Sequence, residues 1–368
     1  MKNYYVGLMS GTSGDGVDAV LASIPDHGAA GLTLEHTFYQ PYTGDLQSAL
    51  TALTTAGNNE LHRAAILSIR LADVFVQAVF DLIGSRDAST ISAIGSHGHT
   101  VRHAPGADPP YTVQLGCAAR LAERTGITVV SDFRARDLAA GGTGAPLAPA
   151  FHRAVFSAPG KPRAIVNIGG IANLSVLDGE GGAGGFDCGP GNALMDEWTR
   201  RHRGQNFDRD GAWALSGTVQ ENLLRGLLAD RYFSAPPPKS TGREYFNAVW
   251  LAPHLKKNPA APADVQATLA ALTADSIAAA IRRSFPAESD VHVYICGGGA
   301  RNAAVMQRLA AHGLSVATTD ALGIAPDWVE AAAFAWLAAR TLGNKPGNLP
   351  AVTGARRAAV LGTVCPGR

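Results

Sequence analysis

"RAIVNIGGIANLSVLDGEGGAGGFDCGPGNALMDEW", residues 163–198, repeats in outline a pattern that the chain has already used once. It reads as strand, glycine turn, strand, loop, strand, and then a helix that begins after Gly191. The earlier stretch is "YYVGLMSGTSGDGVDAVLASI", residues 4–24, and a third strand follows over residues 32–40. There, two runs rich in β-branched and aromatic residues, 4–9 and 17–24, flank a turn with far more glycine than a hairpin needs. Gly169 and Gly170 hold the place in the second turn that Gly11, Gly14 and Gly16 hold in the first. Two segments that each open with a β-meander around a glycine turn point to duplicated domains.

The rest of the chain alternates helix and strand, as an α/β fold does. A helical stretch covers 60–83, a short buried strand covers 91–95 and ends at "SHGHTVRHAPG", and a helix lies near 115–125. The buried strand "GITVVSDF" and the loop "AAGGTGAPLAP" lead into another helix. After the second meander come a long helix over 265–285, the strand "VHVYICGGGA" with a helix from Asn302, and a last helix over about 327–341. The Pro/Gly-rich tail beyond it reads as an ordered extension rather than a domain. The expected division is 1–150 and 151–368, the second part carrying a helical insertion and the last helix and tail able to pack back on the first.

With 368 residues, 46% of them hydrophobic, the chain can bury a large core. Its 31 basic and 30 acidic residues are interspersed, so no field gathers nucleic acid or an anionic membrane. The opening "MKNYYVGLMSG" lacks the apolar run of a signal peptide, and no apolar stretch reaches spanning length, which makes the cytoplasm the expected location. Cys117, Cys188, Cys296 and Cys365 are scattered without paired or metal-ligand spacing, so no disulfide is expected.

Four glycine loops carry the functional reading: "SGTSGDGVD", "NIGGIAN", "FDCGPGN" and "CGGGARN". Each ends a buried strand, and in layered α/β proteins ligands gather where strand ends meet. Glycines let backbone N–H groups approach an anion closely, and Thr12 and Ser13 add hydroxyl donors, so phosphate suits the first loop. A plain hairpin tip with Asx turns at Asp15 and Asp18 is the bland alternative. "GEGGAG", 179–184, matches the dinucleotide pattern G-x-G-x-x-G, but a strand follows it where a helix should. No G-x-x-x-x-G-K-[ST] loop occurs. His97, His99 and His103 lie close in sequence, yet a continuing strand would send the first two to opposite faces and no carboxylate follows at ligand distance, so a polar substrate contact is favoured over zinc. The bland readings of Glu330 and Asp187 are a solvated helix residue and a helix cap.

Taken in order, "GLMSGTSGDGVD", "GSHGHTVRH.P", "VVSDFRARDLAAGGTGAPLAP", "VNIGGIANLS", "FDCGPGN" and "CGGGARN" closely resemble the anhydro-N-acetylmuramic acid kinases, relatives of the sugar kinases, actin and the heat-shock ATPases. The resemblance covers essentially the whole chain. It implies a two-lobed fold of duplicated ribonuclease-H-like domains with ATP in an interlobe cleft, a homodimer, and one reaction. ATP and water convert 1,6-anhydro-N-acetylmuramic acid to N-acetylmuramic acid 6-phosphate, a step of cell-wall recycling. The chain departs from the family pattern at Gly14, where leucine is usual, at His99, where glutamine is usual, at Thr143, where glutamine is common, and at Cys188, where threonine is common. Gly14 loosens the first loop, at a cost to phosphate ordering of up to about 1 kcal/mol.

The same resemblance assigns roles. Opening the anhydro bridge is a glycosidic cleavage that ordinarily needs a base and an acid. Here O6 can be captured by the γ-phosphoryl group, so one carboxylate suffices, and the resemblance puts the base at Asp187. Glu330 becomes the second carboxylate at the sugar, Ser96, His97, Asp132 and Arg134 line the sugar pocket, and Arg134 is suited to pair with the lactyl carboxylate. Gly11, Thr12, Ser13, Gly14, Asp15, Gly16, Val17 and Asp18 cradle phosphates opposite Gly169 and Gly170, while Gly297, Gly298, Gly299 and Asn302 lie against the adenosine. Mg²⁺ bridges the phosphates, with Asp15, Asp18 or Asp187 reaching it through water. Two rival readings stand beside this: a simple hexose or amino-sugar kinase, in which Asp187 deprotonates a hydroxyl, and an ATP-gated binding or filament protein. The loop "PPPKSTGREYF", 236–246, is either structural or brings Lys239, Thr241 and Arg243 to the site.

Overall fold

In the computed structural model, which describes residues 3–11, 14–25 and 31–368, the first meander forms as its apolar alternation requires. Strand β1 (Tyr4–Ser10) pairs antiparallel with β2 (Gly16–Ser23), and β2 with β3 (Thr33–Pro41). Strand β4 (Ile91–Ala104) runs parallel to β1, β6 (Val129–Ser131) runs parallel to β4, and β12 (Thr363–Cys365) closes the edge antiparallel to β6. Strand β5 (Tyr111–Leu115) folds back on the outer half of β4.

Two expectations are corrected here. The strand that was to end at Gly95 continues to Ala104, so His97, His99 and His103 sit within it, and the helix expected from 115 starts at Ala118 because 111–115 is β5. The polar, glycine-bearing sequence suggests a loop; pairing with β5 makes it a ladder. Gly98 accommodates the irregularity at φ +74°, where a Cβ would lie 2.4 Å from the Leu115 carbonyl oxygen.

The helix Val329–Leu342, "VEAAAFAWLAARTL", is buried along almost its whole length against β1 and β4. Its approach depends on Gly7 and Gly95, which face each other across the parallel β1–β4 pair. A Cβ on Gly7 would stand 1.9 Å from the Ala331 carbonyl oxygen, and one on Gly95 2.0 Å from that of Phe334. Small residues on both surfaces therefore let the helix lie against the sheet, and this fixes where Glu330 and Phe334 stand. Opposite, the helix Glu60–Ile83 presents Leu67, Leu71, Phe75 and Val79 to a core with Val6, Leu8, Val17 and Ile94.

The second meander is β7 (Arg163–Ile168), β8 (Ile171–Leu177) and β9 (Ala183–Pro190), all antiparallel. Strand β10 (His292–Cys296) runs parallel to β7, and β11 (Ser315–Thr318) parallel to β10. The order β11-β10-β7-β8-β9 repeats β6-β4-β1-β2-β3 strand for strand, which is the duplication read from the sequence. The helix Pro262–Ser284, opened by its proline, is buried from Val265 to Ile281 and carries this core with Leu174, Phe186 and Ile295.

The chain divides into one unit of Met1–Phe156 with Trp328–Arg368 and another of Ser157–Asp327. The helix Ala148–Phe156 buries Phe151 and Phe156 in the first unit, Phe151 edge-on to Trp336. All four cysteines are free thiols. Among the described residues no helix is long and apolar enough to cross a membrane.

Candidate active site

In the first unit β1 delivers Ser10 to the base of the first glycine loop. Its hydroxyl accepts from the Tyr42 hydroxyl at 2.8 Å and shares a hydrogen bond with His99 Nδ1 at 3.0 Å. Burial pushes His99 down to about 4, which keeps the ring neutral. Gly14 closes a turn onto the Gly11 carbonyl at φ +63°, and a Cβ there would meet His99 Cε1 at 3.6 Å. Gly14 and His99 are thus neighbours in space. Thr12 and Ser13 lie outside the described residues. Gly16 is held by packing, since a Cβ would come 2.5 Å from the Tyr39 ring, and Val17 is core. Asp15 and Asp18 both help to raise the Tyr39 hydroxyl to about 12, after burial, the larger cause.

His97 is buried, its ring 4.7 Å from that of Phe334. Arg134 donates to His97 Nε2 from Nη2 at 3.0 Å and Nε at 3.3 Å, while its Nη1 donates to the Gly144 carbonyl at 2.9 Å. A guanidinium can only donate, so Nε2 is the acceptor and Nδ1 carries the proton, given to the Gly98 carbonyl at 2.9 Å. Burial and the Arg134 charge hold His97 far below its ordinary pKa. Arg134 is itself lowered by burial, with Glu330 and then Asp137 opposing that shift. The structure thus brings His97, Arg134 and Glu330 into one electrostatic group, and the side-on edge of Arg134 is engaged with His97 rather than held open for a lactyl carboxylate. Ser96 Oγ is buried without a protein partner. Asp132 stands at φ +55°, a left-handed conformation that aspartate tolerates, and partial desolvation raises its carboxyl.

Sequence reasoning missed Asp137. It is fully buried, and its carboxylate accepts from Asn348 Nδ2 at 2.6 Å, Thr353 Oγ1 at 2.8 Å and the Gly144 N–H at 2.8 Å, which ties the "GGTGAP" loop to the tail. Thr143 joins that tie, donating its N–H to the Thr353 carbonyl at 2.8 Å, while its hydroxyl donates to the Ala145 carbonyl at 2.7 Å.

In the second unit Asp187 stands on β9, directly across from Asn173 on β8, so the two side chains share one face of the ladder. The segment 236–246 straps this position. The Asp187 N–H donates to the Lys239 carbonyl at 3.2 Å, the Thr241 N–H donates to Asp187 Oδ2 at 3.0 Å, and the Tyr232 hydroxyl donates to the Asp187 carbonyl at 2.8 Å. The Asp187 carboxyl is raised to about 6, by burial first and by Glu244 as well, against the lowering effects of the Thr241 N–H and the Lys239 charge. Asn173 Oδ1 and Thr241 Oγ1 are buried and have no protein partner. Cys188 next in sequence is inert, its thiol pushed up to about 12 by burial and then by Asp187.

The Gly169 and Gly170 carbonyls are turned inward. Gly169 accepts from the Asn192 N–H at 2.7 Å, and Gly170 from those of Gly191 at 3.0 Å and Ala193 at 3.1 Å. Of the later glycines, Gly297 and Gly299 are demanded by packing, since a Cβ would lie 2.3 Å from Asn167 Oδ1 and 2.2 Å from Ile168 Cγ2 respectively. A Cβ on Gly298 would meet nothing nearer than 3.8 Å. The Asn302 side chain caps the helix Ala303–Ala311 through the N–H groups of Ala304 and Val305. An Asn immediately before an apolar helical run was the signal for that cap. Among the described residues no three His, Cys, Asp or Glu side chains come together as a metal cluster.

The sequence profile of the family described as Anhydro-N-acetylmuramic acid kinase matches residues 3–367. The chain is 51% identical over 367 residues to a protein of that name from Nitrosomonas europaea, covering 99% of each. It is 50% identical over 372 residues to one from Chromobacterium violaceum, covering 100% of each. Among solved structures, a glucokinase of the ROK family from Streptomyces griseus in complex with glucose and AMPPNP aligns with a TM-score of 0.41 at 12% identity, covering 90% of this chain and 98% of that one.

Proposed function

We propose, because this chain belongs to the anhydro-N-acetylmuramic acid kinase family, that it is an ATP-dependent sugar kinase of cell-wall recycling. It opens the 1,6-anhydro bridge of 1,6-anhydro-N-acetylmuramic acid and phosphorylates O6. The observation that carries the mechanism is the setting of Asp187. Its carboxylate, raised to about 6 by burial, has one oxygen fixed by the Thr241 N–H and lies beside two buried oxygens, Asn173 Oδ1 and Thr241 Oγ1, that no protein donor satisfies. A base poised near neutral pH, flanked by acceptors that can orient a water, suits hydrolysis at C1.

As the water oxygen bonds to C1, Asp187 takes its proton. The C1–O6 bond breaks, and O6 bonds to the γ-phosphorus as the bond to the β,γ-bridging oxygen breaks. No separate acid is needed, because the leaving oxygen is capped by phosphorus instead of a proton. In the first unit, neutral His97, locked as the Nδ1–H tautomer, and Arg134 with Glu330 give a fixed polar surface for the sugar. Asp132 and Ser96 belong to that surface in this reading.

The residues present suit a triphosphate. Gly169 and Gly170 keep their carbonyls turned in, and Gly298 has room for a ligand where packing does not require glycine. Gly11 to Asp18 and Gly169 with Gly170 would hold the phosphates, and Gly297 to Gly299 the adenosine. Mg²⁺, held mainly by the phosphates with Asp15, Asp18 or Asp187 reaching it through water, would supply charge neutralisation during transfer. A cytoplasmic homodimer is part of the same reading and rests on family membership.

The test is turnover with the anhydro sugar and with the already opened sugar. Faster phosphorylation of the anhydro form supports the proposal, and turnover of the opened sugar alone would favour a simple kinase. Asp187→Asn should abolish both bridge opening and phosphorylation with ATP affinity nearly unchanged; retained turnover would assign the base elsewhere.

A further inference from the structure

The strap that holds Asp187 also carries an arginine to the second glycine turn. A Cβ built on Gly170 would lie 3.1 Å from Arg243 Nη2 and 3.2 Å from Nε, so the guanidinium lies over the turn whose carbonyls point inward. The placement is built from both sides. Asn247 Nδ2 donates to the carbonyls of Arg243 at 3.1 Å and Glu244 at 2.9 Å, while its Oδ1 caps the next helix through Val249 and Trp250. Two residues before, Thr241 is bonded to Asp187. Phe246, fully buried among Tyr232, Phe233, Tyr245 and Trp250, anchors the end of the segment. A guanidinium held on a pinned backbone loses little freedom when it binds, and its planar fork matches the oxygens of a phosphoryl group.

We propose that Arg243 is a catalytic residue that donates hydrogen bonds to the oxygens of the transferred phosphoryl group at the Gly169 and Gly170 turn. The inference rests on the kinase reading and on that turn as a phosphate site. No proton moves to or from Arg243: the guanidinium stabilises charge on the equatorial oxygens while O6 displaces ADP. One segment thereby sets the base through the Thr241 N–H and the phosphoryl clamp through Arg243, so water activation and phosphoryl capture share a frame.

The experiment compares wild-type protein with Arg243→Ala and Arg243→Lys, full length. With the anhydro sugar, Arg243→Ala should lower kcat by at least about 100-fold while KM for the sugar stays within about threefold. Calorimetric titration should show about tenfold weaker binding of a non-hydrolysable ATP analogue and unchanged binding of ADP, because only the former presents the contacted group. Guanidinium chloride, well below denaturing concentration, should restore part of the activity of Arg243→Ala, a response that a structural role would not give. Arg243→Lys, which keeps the charge without the fork, should fall between and holds the test if the alanine variant does not fold. Equal changes toward the ATP analogue and ADP, no change in either, or a raised sugar KM with kcat intact would overturn the proposal, the last assigning Arg243 to the sugar's carboxylate. If the kinase reading itself fails, wild-type protein makes no phosphosugar, and the ATP-analogue against ADP comparison still reads Arg243 separately.

Discussion

The stability of Asp187→Asn relative to wild type should grow with pH. Burial raises the Asp187 carboxyl from its ordinary 3.8 to about 6. That difference of roughly 2 units corresponds to about 3 kcal/mol. The folded state binds this proton more tightly than the unfolded chain does. Its contribution to stability is therefore present below the unfolded pKa, declines as pH rises from about 4 to about 6, and is absent above. Asparagine does not titrate. The stability of the variant relative to wild type should then increase by about 3 kcal/mol across that window, whatever constant offset the substitution adds. For a domain of this size that is a relative Tm gain of roughly 6–12 °C. Differential scanning calorimetry of both proteins, from about pH 4 to about pH 8, reads the difference directly. A difference that stays flat with pH would mean that this carboxylate ionises in the fold at no cost, and the argument for a poised base would fail.

The charges around Asp187 give a pair of opposite signs. Lys239→Ala removes a group that lowers the Asp187 pKa, so the acidic limb of the kcat/KM profile, near pH 6 in wild type, should move up; Glu244→Gln removes one that raises it, so the limb should move down. Shifts of the same sign in the two variants would contradict the assignment of the base. Gly95→Ala drives a Cβ to 2.0 Å from the Phe334 carbonyl oxygen and should cost about 3 kcal/mol or more, read as a lowered Tm, while Gly84→Ala, with nothing within 4 Å but φ +56°, should cost about 1 kcal/mol. His97→Phe keeps an aromatic ring beside Phe334 but leaves the Nε and Nη2 donors of Arg134 without their acceptor; KM for the sugar should rise about 10-fold or more with the ATP analogue's Kd unchanged, and an unchanged sugar KM would remove His97 from the sugar surface.

The repeated meander was legible because its signals are local: apolar alternation along each strand and glycines at each tip. The outer half of β4 and β5 were not, because "SHGHTVRHA" and "YTVQL" are polar stretches that become strands only by pairing with each other, and β12 was not, because "TVC" takes its form from β6, distant in sequence. Gly7 and Gly95 look like weak spots in strands until the alanine helix that needs them is in place. At the site, Asp187 was reached through the resemblance, while Lys239 and Thr241 were reached only as one of two readings of their loop. Their hydrogen bonds to Asp187 run through the Lys239 carbonyl and the Thr241 N–H, backbone groups that every sequence supplies alike. Asn173 counts only because the β8–β9 register sets it opposite Asp187, and no spacing along the chain reveals a register.

The most direct test of the central claim, that Asp187 primes a water for attack on the sugar carbon, is turnover in ¹⁸O-labelled water followed by mass analysis of the phosphosugar. Label on the C1 oxygen with none in the phosphate is the predicted result. A C1 oxygen without label would mean that C1 keeps the bridge oxygen and that the bond cleaved is C6–O6, which would contradict the account.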